Sequence, residues 1–209
     1  MGFTSAWLIT AHDDAFVAEL APRMRPHIEA AAGDPEGRRR WAGWERVAPL
    51  PHWREWRERW PEIGEDVRNF EELTAAGPLD AFYDGTDLGD DFCAMDDVWC
   101  VAADEVEPFH AVRSKEYAVA ALFHALGPGR AARLPGWCGN FLLDSAAVRA
   151  TLAQVEEAFS FSPEERAAAE EQDWSALDDG ESALEGPLRC WREAAAAGLG
   201  LCGLAAHVY

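Results

Sequence analysis

The residues of this 209-residue chain that are suited to chemistry are few and scattered. Cys138 stands between Trp137 and Gly139 in the turn-prone run Pro135, Gly136, Trp137, Cys138, Gly139, Asn140. A thiol on a tight turn becomes a nucleophile when a histidine takes its proton, and His110 and His124 are the nearest in sequence. Backbone N–H groups around Gly136 and Gly139 would then face an oxyanion. The competing reading is a small buried apolar residue, the commonest fate of a free cysteine, and the spacing matches no cysteine-enzyme signature. His124 falls off the apolar face of its helix, which predicts an exposed ring.

Oxygen ligands are more plentiful. Asp84, Asp87, Asp90, Asp91, Asp96 and Asp97 sit among Gly85, Gly89 and several aromatics, in a stretch with no helical period. Such a loop suits a hard cation, but no alignment of 84–97 gives the alternating ligands, mid-loop glycine and twelfth-position glutamate of an EF-hand. The simpler reading is a solvated or partner-facing acidic loop without a metal. Cys93 with Cys100 and Cys190 with Cys202 lack the close ligand pairs of a zinc site. The chain has no phosphate loop, no dinucleotide fingerprint and no Gly-x-Ser-x-Gly elbow, so no cofactor is expected.

Residues 38–60 hold five of the ten tryptophans, Trp41, Trp44, Trp53, Trp56 and Trp60, together with seven arginines. Indoles interleaved with guanidinium groups can hold a base, a sugar or a peptide. Trp53, Trp56 and Trp60, however, stand at i, i+3 and i+7, the spacing that burial of one helical face demands. Trp41 and Trp44 adjoin a loop beside Arg38, Arg39 and Arg40, and if exposed they would mark a binding surface.

Charge narrows the partners. The formal net charge is -20, which repels nucleic acid and anionic membranes at long range. Residues 61–110 carry fifteen acidic groups against Arg68 alone, whereas residues 23–60 are net basic. A surface so divided attracts a basic protein or a cationic ligand. Five cysteines, an odd number without repeated spacing, fit reduced thiols better than a disulfide framework. The apolar start lacks the basic residues of a signal peptide, and the longest apolar run, 194–206, is short and holds three glycines. A cytoplasmic protein is expected.

The elements that would position these residues follow from pattern. Phe3–Thr10 reads as a strand, and Asp13 or Asp14 caps a helix with Val17, Leu20, Met24 and Ile28 on its inner face. Pro22 and Pro26 predict that this helix kinks or splits. Gly33, Asp34, Pro35 and Gly37 predict a loop, and Pro61 predicts the end of the tryptophan helix. Ile63, Val67, Phe70 and Leu73 continue helical spacing to Gly77. Val98–Ala102 reads as a buried strand, and Ser114 as the cap of a helix ended by Gly127 and Pro128. Asp144 or Ser145 opens a helix carrying Val148, Leu152, Val155 and Phe159, and Ser162, Pro163 and Glu165 form a capping box. A helix over 187–197 and a strand over 203–209 close the chain. The succession predicts a mostly helical α+β fold, a single domain over 1–209, with the N- and C-terminal strands in one small sheet.

The two ends resemble the small, uncharacterised bacterial YfbM-like domain family. At the front, Met1 and Gly2 lead into a strand and an acid-capped helix; at the back, Leu188, Trp191, Ala194, Ala195 and Gly198 are similar to that family's closing helix, followed by a final strand. The helix opening at Asp144 is similar in position. The resemblance implies an α+β domain of unestablished activity and carries over no catalytic residue. Two functional expectations result. One is a non-catalytic protein-interaction domain, immunity-like or regulatory, that binds through its acidic surface, with Trp41, Trp44 and the six aspartates as binding residues. The alternative is a small-molecule enzyme with an aromatic pocket and Cys/His or carboxylate chemistry. Composition leaves the oligomeric state open.

Overall fold

The computed structural model describes residues 5–75, 108–114, 117–174 and 181–207. Its organising element is β1 (Ser5–His12), every residue of which is buried. β1 pairs antiparallel with β2 (Phe109–Ser114) on one side and β4 (Gly200–His207) on the other, and β4 pairs with β3 (Phe141–Leu143), giving the order β2-β1-β4-β3. The first and last strands pair along their full length, from Ser5 opposite His207 to His12 opposite Gly200. Seven α-helices among the described residues surround this four-stranded sheet, so the α+β architecture with both terminal strands in the sheet is as the sequence predicts.

A strand buried on both faces needs cover on both. Leu8, Leu142, Cys202 and Leu204 meet Val17, Leu20, Met24 and Ile28 of α1 (Asp14–Gly33). On the opposite face Trp7, Ile9, Phe141, Leu201 and Ala205 pack in one larger cluster. That cluster takes in α4 (Ala118–Ala131), α5 (Ser145–Ala158) and α7 (Gly186–Ala197). Against α4 lie α2 (Pro35–Val47), α3 (Trp56–Thr74) and α6 (Pro163–Gln172).

Several local signals behave as expected. Asp13 accepts from the Phe16 N–H at 2.8 Å, Asp144 from the Ala147 N–H at 2.7 Å, and Ser162 and Glu165 form the reciprocal capping box of α6. Four expectations are corrected, the first at Pro22 and Pro26 together. Pro22 and Pro26 lie inside a continuous α1. Both are exposed and four residues apart, on the same side as exposed Ala18. The carbonyls they leave unbonded therefore face water, while the four-residue apolar stripe stays on the sheet. Pro61 likewise lies within α3 on its exposed side. The expected loop at 33–37 is a one-residue junction: Asp34 caps α2, accepting from the Gly37 N–H at 2.8 Å, with Pro35 at the first helical position. Ser114 ends β2 instead of capping α4, whose first N–H, at Ala118, donates to Ser5 Oγ at 2.9 Å across 113 residues. Gly127, at φ 69°, breaks α4 as its glycine and proline foretell. The strand expected over Val98–Ala102 lies outside the described residues.

Candidate functional site

Cys138 is held in a turn rather than offered by one. Trp137 and Asn140 exchange backbone hydrogen bonds of 2.9 Å, and the Trp7 indole N–H donates to the Gly139 carbonyl at 2.9 Å, clamping the turn to β1. The thiol is buried, no histidine hydrogen-bonds to it among the described residues, and burial pushes its pKa up to about 12. A thiol so placed stays protonated and packs as a small apolar side chain. Cys190 and Cys202 are equally buried, both pushed up to about 12 by burial.

His110, on β2, is 2% exposed. Its Nδ1 lies 3.3 Å from Glu181 Oε2, and Arg189 grips the same carboxylate through Nε and Nη2, each at 2.7 Å. Arg189 Nη2 also donates to the Phe109 carbonyl at 2.7 Å, so α7, β2 and the turn before α7 are tied at one point. Burial, the largest influence, lowers the His110 pKa and outweighs the opposing pull of Glu181. The ring is therefore neutral and donates from Nδ1 to the carboxylate; this is a hydrogen bond, not an ion pair. Nε2 then carries a lone pair, buried and without a partner among the described residues. Gly186 makes room for the ring: a Cβ there would come 2.0 Å from Nδ1. The edge of His110 meets Trp7, with centroids 6.1 Å apart.

His124, on α4, is 9% exposed, and the expectation of an exposed ring is corrected. The reason is that α4 is covered on more than its stripe face. Trp56, Phe70 and Trp174 surround the imidazole with centroids 5.1, 5.9 and 5.5 Å away, and Trp53 touches Trp174 at 6.1 Å. The Pro51 carbonyl receives the Trp56 indole N–H at 2.9 Å and His124 Nε2 at 3.2 Å. A carbonyl only accepts, so Nε2 carries the proton and Nδ1 the lone pair. Burial lowers the pKa to about 4, keeping the ring neutral. Nδ1 has no partner, and neither have Trp53 Nε1, Trp174 Nε1 and Gln172 Oε1; the remaining bare buried atom among the described side chains is His110 Nε2.

Of the expected binding residues, Trp44 is 1% exposed and belongs to the core beside Phe70 and Phe123, which removes it from any surface. Trp41 is half-buried, its ring edge on Trp44 and its Nε1 donating to Glu45 at 3.0 Å. Asp84, Asp87, Asp90, Asp91, Asp96 and Asp97 lie outside the described residues. The tryptophan stripe divides: Trp53 and Trp56 are half-buried, while Trp60 is 43% exposed, the one exposed large hydrophobic among the described residues. Trp60 lies on Gly64, where a Cβ would come 2.8 Å from its ring, with the Arg68 guanidinium 5.9 Å from its centroid. Helical phase places Trp60 inward, but phase does not say how far along the helix the core extends.

A surface cleft of about 750 Å³ opens between Pro49 and the α4 break, lined also by Arg130, Arg133 and Glu157. Both arginines are committed: Arg133 to Glu157, and Arg130 to Glu165, to the Ala158 carbonyl that ends α5 and to the Ser160 carbonyl beyond it. Among the described residues, no cluster of three or more His, Cys, Asp or Glu is placed to hold a metal, and no helix is long and apolar enough to cross a membrane. Glu181, Arg189, Gly186 and Trp174 escape sequence reasoning, since nothing in a local pattern ties Glu181 to a histidine 71 residues earlier.

No protein-family model matches this chain. No curated protein matches it, and no solved structure does.

Proposed function

We propose that the protein is a non-catalytic interaction domain, immunity-like or regulatory, that binds a basic protein through its acidic surface. The observation that carries this reading is the disposition of charge. Eight arginines, among them Arg40, Arg59, Arg166 and Arg192, each sit within ion-pair distance of a glutamate. Eight of the eighteen basic residues are thus engaged locally, and the chain's acidic excess is greatest over 61–110, where fifteen acidic groups stand against Arg68 alone, a charge suited to attracting a basic partner. The burial of Cys138, Cys190 and Cys202 in their protonated form agrees with a role in binding. The YfbM-like resemblance of the two ends belongs to the same proposal, supported by the adjacency of β1 and β4.

The test is capture from native cytosol by the immobilised protein and by a variant with Asp84, Asp87, Asp90, Asp91, Asp96 and Asp97 changed to Asn. A stoichiometric basic partner should be held at low salt, released near ~1 M salt where the Debye length is ~3 Å, and missed by the variant. Finding no salt-sensitive partner rejects the reading.

A second reading, a small-molecule enzyme, is favoured by one arrangement: a neutral His110 oriented through Nδ1 by a carboxylate, leaving Nε2 as a base. Its test is a substrate screen read against His110→Asn. Any turnover that survives this change removes His110 from the chemistry.

A further inference from the structure

The cleft of about 750 Å³ between Pro49 and the α4 break has the size of a small-molecule site and takes no part in the function proposed above. Its lining is partly apolar, from Pro49, Leu126 and Pro128, and partly ionic, from Arg133 and Glu157. Arg133 gives Glu157 only Nη1, and Glu157 answers with Oε2. Among the described residues, Nε and Nη2 of this arginine and Oε1 of this glutamate have no protein partner. The two side chains are 47% and 65% exposed, so the pair is open to a guest. The backbones beneath it are fixed: Gln154 donates to the Arg133 carbonyl, and Arg130 Nη1 grips the carbonyls of Glu157, Ala158 and Ser160. Gly129, also in the lining, adds an independent observation. It lies in the helical turn after the break without a positive φ, and a Cβ there would meet nothing within 4 Å. A helix favours alanine over glycine, so neither packing nor backbone accounts for the bare Cα, which keeps that part of the cleft open.

We propose that this cleft binds a free α-amino acid with an apolar side chain, its carboxylate on Arg133, its ammonium on Glu157 and its side chain on Pro49, Leu126 and Pro128. The ion pair offers spare donors beside a spare acceptor, and their complement is one carboxylate next to one ammonium. An α-amino acid carries both on a single carbon, whereas the two termini of a peptide stand further apart. Charge decides against simpler ions. A carboxylate alone would lie against Glu157 and enter a molecule of net charge -20, and an amine alone would leave Arg133 unmatched. A zwitterion meets both charges and is indifferent to the long-range field. The exposed Arg133–Glu157 pair is weak by itself, so sharing its charges with a guest costs little. Fixed backbones on the ionic side lower the ordering cost of binding. This site is independent of the acidic surface and of the reading built on it.

The test is calorimetric titration of the intact protein with L-phenylalanine and L-leucine. Each is set against the same skeleton without the ammonium, hydrocinnamate or isocaproate, and without the carboxylate, phenethylamine or isoamylamine. Saturation by either amino acid upholds the proposal, provided that its single-charge analogues bind at least about tenfold more weakly, the loss of one charge-assisted contact. Glu157→Gln should weaken the amino acid about tenfold and erase its advantage over the acid; Arg133→Gln should erase its advantage over the amine. Both changes are at exposed side chains and leave the fold intact. Gly129→Leu puts a side chain into the open space and should abolish binding, with a thermal midpoint no lower than that of the wild type. Four outcomes overturn the proposal: no saturable heat with either amino acid up to ~20 mM, a single-charge analogue bound as tightly as its amino acid, affinity unchanged in both Glu157→Gln and Arg133→Gln, or a folded Gly129→Leu protein that binds as the wild type does.

Discussion

His110 and His124 are both sealed from water, and each keeps one ring nitrogen bare, yet opposite chemistries hold them. His110 donates from Nδ1 to a carboxylate that Arg189 clamps, and Gly186 leaves its ring no slack. His124 donates from Nε2 to a backbone carbonyl and is otherwise walled by rings. The first site is an electrostatic lock joining α7 to β2. The second is an apolar nest with polar edges left over. The difference teaches that burial alone does not say what a histidine does: the group opposite its N–H decides which nitrogen is bare and how the ring answers to pH.

The largest expected effect falls on the lock. Gly186→Ala should cost about 3 kcal/mol in urea denaturation, because its Cβ would overlap a ring that has nowhere to move. A cost under about 1 kcal/mol would mean that His110 is not wedged.

Next is the pH response of the nest. Below pH 6.5 an unfolded His124 is protonated, whereas the folded ring stays neutral down to about 4. The unfolded chain then binds more protons, so stability falls as pH drops through that window, by about 2 kcal/mol between pH 7 and 4.5. His12, also lowered to about 4 by burial, adds a loss of the same sign. The difference between the wild type and His124→Phe isolates the His124 share, and parallel pH curves for the two would end the claim.

Glu181→Gln should cost about 1 kcal/mol, a modest figure because the carboxylate is 32% exposed. It should also lower the His110 pKa further, since Glu181 is the main influence holding it up. An NMR titration showing that pKa unchanged or raised would break the contrast between the two sites. The smallest effect is at Trp60→Phe: shortening a ring that is 43% exposed should shift stability by less than about 0.5 kcal/mol. A larger loss would mean that Trp60 is packed as Trp56 is.

Much of the scaffold is legible along the chain. Asp13, Asp144 and the Ser162–Glu165 box act within three residues, so their pattern survives in sequence. The candidate sites are not legible. Glu181 reaches His110 across 71 residues, and Pro51 reaches His124 across 73. The sequence leaves the exposure of Trp44 open, because it adjoins a loop and three arginines; the rings of Phe70 and Phe123 cover it from other helices. Pro22 and Pro26 read as breaks because local rules count lost hydrogen bonds without knowing which face meets water.

By itself the sequence determined the class of fold, the starts of α1, α5 and α6, the break at Gly127 and the lopsided charge, because each depends on neighbours a few residues apart or on composition alone. Tertiary structure decided which histidines are buried, which tautomer each adopts and which tryptophan stays exposed. Those outcomes depend on what lies opposite a side chain, and partners such as Ser5 with Ala118, or Asp14 with Ser145, come together only when the sheet closes around β1.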